Sequence, residues 1–173
     1  MLRSFLVASI VLSSLSLGLP AQDNGRVFKD PHGAYMLVLR DRWEPVTYKD
    51  GAGHTVVDII YENRERGLLR IRKRHVDREM TPEEFARRMQ ETSFQFRPGF
   101  TRGSLEPFNR GPYPGALLTF DFTYGGRPKT ARYYYLKVDP HTFYVLQFEG
   151  NPQVLRTMRN RTDLMAQSFR VLG

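Results

Sequence analysis

Three apolar segments near the C-terminal end of the chain are joined by turns of only a few residues. ALLTFDFTY, KTARYYYLKV and TFYVLQFEG occupy residues 116–150 and are separated by GGRP and DPH. Apolar and polar residues alternate with a period of two, which is typical of strands with one side in a core. Links of this length join neighbouring antiparallel strands. The segments therefore predict a three-stranded antiparallel meander, and this restricts the fold more than any other feature of the sequence.

Further strands are predicted upstream of the meander. AYMLVL at residues 34–39, HTVVDIIYE at 54–62 and GLLRIRKRHV at 67–76 are each flanked by turn residues such as Gly, Asp and Pro. Shorter extended pieces are expected near residues 46–48 and 104–109. The strands therefore fall into an early group and a late group.

Two helices are predicted, one between the strand groups and one at the end. Thr81 and Glu84 form a Thr-x-x-Glu capping box. Asn151 as cap and Pro152 at the first helical position start the second helix. Its apolar stripe consists of Leu155, Met158, Thr162, Met165 and Phe169. This order of elements predicts an α+β fold, an antiparallel β-sheet meander flanked by helices.

The N-terminal residues have the pattern of a secretory signal peptide. A short positive region precedes an apolar run at residues 5–19, and small residues follow. The run is shorter than the ~20 residues needed to span a bilayer, so we expect cleavage, after Gly18 or after Ala21. The chain contains no cysteine. We therefore predict a signal peptide at residues 1–21, a single domain at 22–173 without disulfides, and a periplasmic or extracellular location.

The chain is strongly basic, with a formal net charge of +8. A basic surface attracts nucleic acid, anionic lipid headgroups or acidic proteins. Export argues against nucleic acid, so the expected partner is a protein or an anionic membrane surface. Arg70, Arg72 and Arg74 alternate with Leu69 and Ile71. This pattern is typical first of a solvated strand face, since half-wet antiparallel sheets are ordinary. A functional basic stripe is the alternative, and these arginines are its candidate partner-binding residues.

The tyrosine triplet at residues 133–135 lies in the middle strand of the meander. Alternation places Tyr134 and Leu136 on one face, where we expect them to pack under a helix. Tyr133 and Tyr135 fall on the other face and are further candidates for partner contact. The segment lacks the glycines of an RNA-recognition strand, which again argues against nucleic acid.

Catalytic and metal-binding motifs are sparse in the sequence. His75 and Asp77 lie on one side of an extended segment and could act as an oriented general base, but no nucleophile motif accompanies them. Two Asp-Pro-His turns supply weak candidate metal ligands, which are Asp30, His32, Asp139 and His141. Asp-Pro is also a common turn starter. We therefore predict a non-enzymatic protein without metal or cofactor, with a small-molecule or metal-binding domain, or a hydrolase using His75 and Asp77, as the alternative.

Several segments together resemble the PsbP-like superfamily, which includes the extrinsic photosystem PsbP proteins and the periplasmic DcrB-type proteins of bacteria. They are FKDPHGAYMLVLRDRW, GLLRIRKRHV followed by TPEEFARRM, RYYYLKVDPHTFYVLQFEG and LMAQSFRVL. The resemblance covers residues 27–172. It implies an antiparallel sheet sandwiched by helices and a non-catalytic role in binding or assembling other proteins, often at a membrane surface.

The chain departs from the family pattern before Trp43. Where a proline usually precedes Gly-Trp, this sequence has Arg40, Asp41 and Arg42. No residue set for a photosystem role carries over.

Overall fold

Ten strands and three α-helices follow one another along the chain in a computed structural model that describes residues 25–173. The predicted signal peptide lies outside the described residues. The strands are β1 (Arg26–Lys29), β2 (Tyr35–Leu39), β3 (Trp43–Lys49), β4 (Thr55–Tyr61), β5 (Gly67–His75), β6 (Thr101–Pro107), β7 (Gly115–Tyr124), β8 (Arg127–Asp139), β9 (Thr142–Gly150) and β10 (Arg170–Val171). The helices are α1 (Pro82–Thr92), α2 (Pro152–Thr157) and α3 (Arg159–Gln167), and a 3₁₀ turn (Phe94–Phe96) follows α1.

Seven of the strands form one antiparallel sheet in the order β3-β4-β5-β9-β8-β7-β6. The predicted meander β7-β8-β9 lies within it, so its middle strand has a neighbour on each side. The predicted strand at residues 34–39 corresponds to β2, which pairs with β1 and β10 in a separate three-stranded sheet. The α+β class and the antiparallel sheet flanked by helices are confirmed.

The first helix begins as its sequence predicts. The Thr81 side chain accepts a hydrogen bond from the Glu84 backbone N–H at 3.1 Å, and the Glu84 carboxylate accepts from the Thr81 N–H at 2.7 Å. Phe85 and Ala86 are buried on the side of α1 that faces the sheet. The helix α1 packs on β6, β7 and β8, at one end of the seven-stranded sheet. It therefore covers only one half of the sheet face on which it lies.

The second predicted helix is divided into α2 and α3. The Asn151 side chain caps α2 by accepting from the N–H groups of Gln153 and Val154. At Met158 the backbone turns to φ −95° and ψ 13°, outside the usual helical values, and α3 starts immediately afterwards. The apolar stripe nevertheless stays buried on both sides of this break, at Leu155, Met158, Thr162, Met165 and Phe169.

Helices cover at least part of each face of the seven-stranded sheet. Tyr134 and Leu136 pack in the cluster that contains residues of α2 and α3, as predicted for a strand under a helix. Tyr133 and Tyr135 pack in a second cluster with Phe85 of α1. Within residues 25–173, no helix is long and apolar enough to cross a lipid bilayer.

Candidate functional site: an arginine-lined groove

A groove of about 900 Å³ lies on the half of the sheet face that α1 leaves open. Its floor comes from β5, β8 and β9, and its walls come from the end of α1, the 3₁₀ turn and the β7–β8 hairpin. Four arginines from β5 and the turn before it line it, namely Arg64, Arg70, Arg72 and Arg74. Three more cations come from other elements, namely Arg97, Arg127 and Lys129. We call this surface the arginine groove.

Few carboxylates face these seven cations. Among the lining residues that the structure describes, only Glu65 and Glu149 are acidic, and Asp58 lies buried beside the groove. The cations therefore outnumber the neighbouring acids by more than two to one. In a concave site with low-dielectric walls, such an excess raises the local positive potential and attracts anions.

Three arginines of β5 form a row along the groove floor. Arg70, Arg72 and Arg74 alternate with Leu69 and Ile71, which pack in the core cluster on the opposite side. The register of β5 with β9 is continuous from Gly67 to His75. Side chains two residues apart on one strand face are about 6.6–6.8 Å apart. The row therefore presents positive charges at a regular interval.

Asp58 holds the inner end of the arginine row. It is fully buried on β4, and its carboxylate accepts from Arg64 Nε at 3.0 Å and from Arg70 Nε at 2.9 Å. Burial alone would raise the pKa of Asp58, but hydrogen bonds and charges from Arg70 and Arg64 outweigh burial and lower it below its usual value. One carboxylate thus compensates two guanidinium groups.

Arg97 is anchored at the groove wall by aromatic rings and an acid. Its guanidinium carbon lies 4.6 Å from the centre of the Phe122 ring and 5.2 Å from that of Phe94. Glu149 accepts from Arg97 Nη1 at 2.8 Å and also from the Tyr133 hydroxyl. Burial and then the charge of Glu149 raise the pKa of Tyr133, so this hydroxyl remains a donor. The side chain of Arg97 is therefore held in one position.

Of the four remaining groove cations, Arg127 alone has a carboxylate partner among residues 25–173. Arg72 Nε donates to the neutral Gln147 side chain at 3.3 Å, and Lys129 Nζ donates to the backbone oxygen of Glu65 at 2.7 Å. Arg127 pairs with the Glu65 carboxylate. Arg74 is exposed and has no ion-pair partner among residues 25–173. The free positive charge is therefore concentrated at Arg72, Arg74 and Lys129.

A second concave surface, of about 740 Å³, lies on another part of the molecule and differs in its charge balance. Its lining cations include Arg42 and Arg161. Arg42 pairs with Glu62, and Arg161 pairs with Asp41 at 3.0 Å. Because these charges are matched locally, the arginine groove is the stronger candidate site.

The prediction that Tyr133 and Tyr135 contact a partner is wrong. Their exposed fractions are 0% and 1%, because Phe85 of α1 and Phe94 of the 3₁₀ turn cover this side of β8. Sequence alternation separated the two faces correctly, but it could not show that α1 covers this one. The Tyr135 hydroxyl is buried and has no hydrogen-bond partner among the described residues.

The structure does not assemble a catalytic pair from His75 and Asp77. Both residues are exposed, no hydrogen bond joins them in the described part of the chain, and neither lines either of the two concave surfaces described above. His75 instead lies beside His141, with 5.9 Å between the ring centres. The arrangement offers neither an oriented base nor an enclosed substrate site.

The two Asp-Pro-His turns use their carboxylates locally. Asp30 accepts from the N–H groups of His32 and Ala34, both at 3.2 Å, and Asp139 accepts from the His141 N–H at 2.9 Å. Within residues 25–173, no three His, Asp or Glu side chains are grouped so that they could hold a metal ion. The carboxylates thus serve as turn-closing acceptors.

The sequence alone missed the cations that complete the arginine groove. These cations lie far from β5 along the chain. Arg127 and Lys129 of β8 meet β5 only through the strand order β5-β9-β8, and Arg97 reaches the groove from the loop after the 3₁₀ turn. No spacing rule links these positions. The period-two row on β5 was the one part of the groove with a local sequence signal.

The fold that carries this site is the PsbP-like fold, an antiparallel sheet with helices on both faces. In this chain a basic groove lies on one face of the sheet. No protein-family model matches the sequence, and no curated protein sequence matches it.

Solved structures with a similar fold come from several organisms. Cyanobacterial PsbP (CyanoP) from Synechocystis sp. PCC 6803 matches with a TM-score of 0.61 and 14% identity, over 92% of this chain and 97% of that one. LpqN, described as involved in cell envelope biogenesis of Mycobacterium tuberculosis, matches with a TM-score of 0.57 and 12% identity, over 86% and 91%. The Ran-binding protein Mog1p of Saccharomyces cerevisiae matches with a TM-score of 0.58 and 8% identity, over 86% and 95%. The predicted PsbP-like fold is thereby confirmed.

Proposed function

We propose that this protein is an exported, non-enzymatic binding or assembly protein that docks an acidic partner protein in the arginine groove. The observation that carries the proposal is the lining of the groove, in which seven cations face two carboxylates. Complementary charge guides association and selects partners of opposite sign. The pattern of the first 21 residues supports export.

The similar solved structures are compatible with a binding role. One is described as a Ran-binding protein and another as involved in cell envelope biogenesis. From these two proteins we take only the general role of binding or assembly as a proposal for this chain.

The shape of the groove favours a protein segment over a flat membrane. Lys129 is buried and Arg97 is only partly exposed. A planar layer of headgroups would meet the rim, whereas a single polypeptide segment can reach cations on the floor. An anionic membrane surface is therefore the competing outcome of the test.

A pull-down with immobilised wild type and two matched double variants tests the proposal. Arg72→Glu with Arg74→Glu reverses charge inside the groove. Arg156→Glu with Arg159→Glu makes the same change in net charge in the α2–α3 segment, on the other side of the sheet. Each form is incubated with envelope extract and, separately, with phosphatidylglycerol vesicles, at low and at moderate salt.

We expect wild type and the α2–α3 variant to retain the same acidic proteins, and the groove variant to lose them. Recovery no better than that of an acidic-bead control would refute the proposal. Equal losses in both variants would also refute it, because they would show a response to net charge alone. Retention of vesicles instead of proteins would assign the groove to membranes.

A further inference from the structure

The arginine row on β5 places positive charges at a regular spacing. This spacing favours a particular conformation of the acidic partner as well as its charge. Arg70, Arg72 and Arg74 project from one face of a regular strand at intervals of about 6.6–6.8 Å. An extended peptide has the same interval between every second side chain. An acidic peptide in the extended conformation can therefore place one carboxylate opposite each arginine.

We infer that the groove recognises an extended acidic segment in which acidic residues occupy alternate positions. This inference rests on the proposed function, because it concerns the same groove and the same class of partner. The segment lies over the sheet face along β5, where the arginine side chains line the groove, and not along the edge of β5 beyond Leu68 and Leu69 that β4 leaves unpaired. Recognition therefore depends on side chains rather than on backbone pairing with a sheet edge.

Neighbouring residues determine where the acidic positions end. On the groove face, the position before Arg70 is Leu68, which lies opposite Glu149 of β9. A carboxylate placed there would meet the negative charge of Glu149 and an apolar side chain. The residue of the partner over Leu68 is therefore apolar, and the recognised pattern is apolar-x-acidic-x-acidic-x-acidic, read in either chain direction.

The outer part of the row provides most of the attraction. Asp58 already pairs with Arg70, whereas Arg72 and Arg74 lie opposite Val145 and Phe143 of β9. Neither of these β9 residues carries a charge. Arg72 and Arg74 therefore have the greatest capacity to bind a new carboxylate.

The aromatic residues of the groove argue against a single-stranded nucleic acid, whose phosphates are also regularly spaced. Binding of that kind relies on exposed ring faces on which bases stack. Phe94 and Phe122 are buried, and Arg97 covers their rings. Among the lining aromatic residues, Tyr124 is exposed, at 74%. A single exposed ring makes a poor stacking platform.

Two labelled peptides of identical composition test the inference by fluorescence anisotropy. One alternates Glu with Thr after a leading Leu, and the other carries the same Glu residues side by side. On an extended backbone, adjacent Glu side chains point to opposite faces, so fewer of them can meet the row. We expect wild type to bind the alternating peptide about five-fold more tightly, in line with one additional partly exposed ion pair.

Two single variants locate the effect within the groove. Arg74→Gln removes the outer charge of the row and leaves Arg70 and Arg72, which each peptide can match with two carboxylates. We therefore expect it to abolish the preference for the alternating peptide. Arg127→Gln removes a groove cation outside the row, one that is paired with Glu65. We expect it to weaken both peptides equally. Thermal unfolding of each variant checks that the fold is unchanged.

The possible results separate the inference from the proposed function. Equal affinity of wild type for both peptides overturns the inference and leaves an acidic-partner groove in place. Failure of both peptides to bind more tightly to wild type than to the Arg72→Glu and Arg74→Glu variant overturns the proposed function as well. Tighter binding of an oligothymidylate than of the alternating peptide overturns the choice of a protein partner.

Discussion

Two adjacent tyrosines in β8, Tyr134 and Tyr135, have hydroxyl groups in different environments. Removing each of these two hydroxyl groups should therefore change the stability of the protein differently. The Tyr134 hydroxyl donates to Asp163 at 2.6 Å, lies 2.8 Å from Thr162 Oγ1 and accepts from Arg132 Nη2 at 3.0 Å. The Tyr135 hydroxyl is equally buried and has no partner among the described residues. The substitutions Tyr134→Phe and Tyr135→Phe remove the same atom from neighbouring positions on opposite faces of one strand.

The expected changes in unfolding free energy have opposite signs. A hydrogen bond to a charged group contributes ~1.5–3 kcal/mol, so Tyr134→Phe should destabilise the protein by about 2 kcal/mol. A buried polar group without a partner costs ~1–3 kcal/mol, so Tyr135→Phe should stabilise it by about 1 kcal/mol. For a domain of this size, 1 kcal/mol shifts the Tm by roughly 2–4 °C. The two variants should therefore differ in Tm by roughly 6–12 °C.

Urea unfolding followed by tryptophan fluorescence measures both changes, because Trp43 is the single tryptophan of the chain and is fully buried. The slopes of the free energy against urea should match that of wild type, which would show that the exposed area is unchanged. Equal destabilisation by Tyr134→Phe and Tyr135→Phe would refute the assigned environments. A stabilised Tyr134→Phe variant would refute the hydrogen-bond network around Thr162 and Asp163.

Two further predictions concern Asp58 and Gly150. The pKa of Asp58 is lowered in the folded state. Its contribution to stability is therefore complete above the unfolded-state pKa of about 3.9 and is lost as pH falls through the lower, folded-state value. Acid titration followed by circular dichroism should show a smaller loss of stability below about pH 4 for Asp58→Asn than for wild type, and an equal loss would contradict the pairing. At Gly150 an added Cβ would lie 2.3 Å from the Arg66 carbonyl oxygen, whereas at Gly51 it would meet nothing within 4 Å. Gly150→Ala should therefore lower the Tm by several degrees, and the control Gly51→Ala should leave it nearly unchanged. Similar melting temperatures for the two variants would contradict the close approach at Gly150.

Much of the fold followed from local patterns. The meander β7-β8-β9, the capping box at Thr81 and the cap at Asn151 are all visible in short windows of sequence, because turns and caps depend on a few neighbouring residues. The break at Met158 was not predicted, since the apolar stripe continues across it with unchanged spacing. The membership of β2 in a separate sheet was also not predicted, because strand pairing over long distances has no local signal.

The candidate site was predicted only in part, and the reason is the same. Period-two alternation placed Arg70, Arg72 and Arg74 on one strand face, and the groove uses that face. The same alternation offered Tyr133 and Tyr135 as contact residues, yet both are buried by packing against α1 and the 3₁₀ turn.

Sequence alone determined the periodicity of the longer strands, the starts of α1 and α2, the excess of basic residues and the absence of cysteine. These properties depend on composition and on residues close together in the chain. Only the tertiary structure decided which strand face is covered and which is open. It also decided that Arg97 and Lys129 join the arginines of β5 in one groove, because these contacts depend on the order of strands in the sheet and on the half of its face that α1 covers.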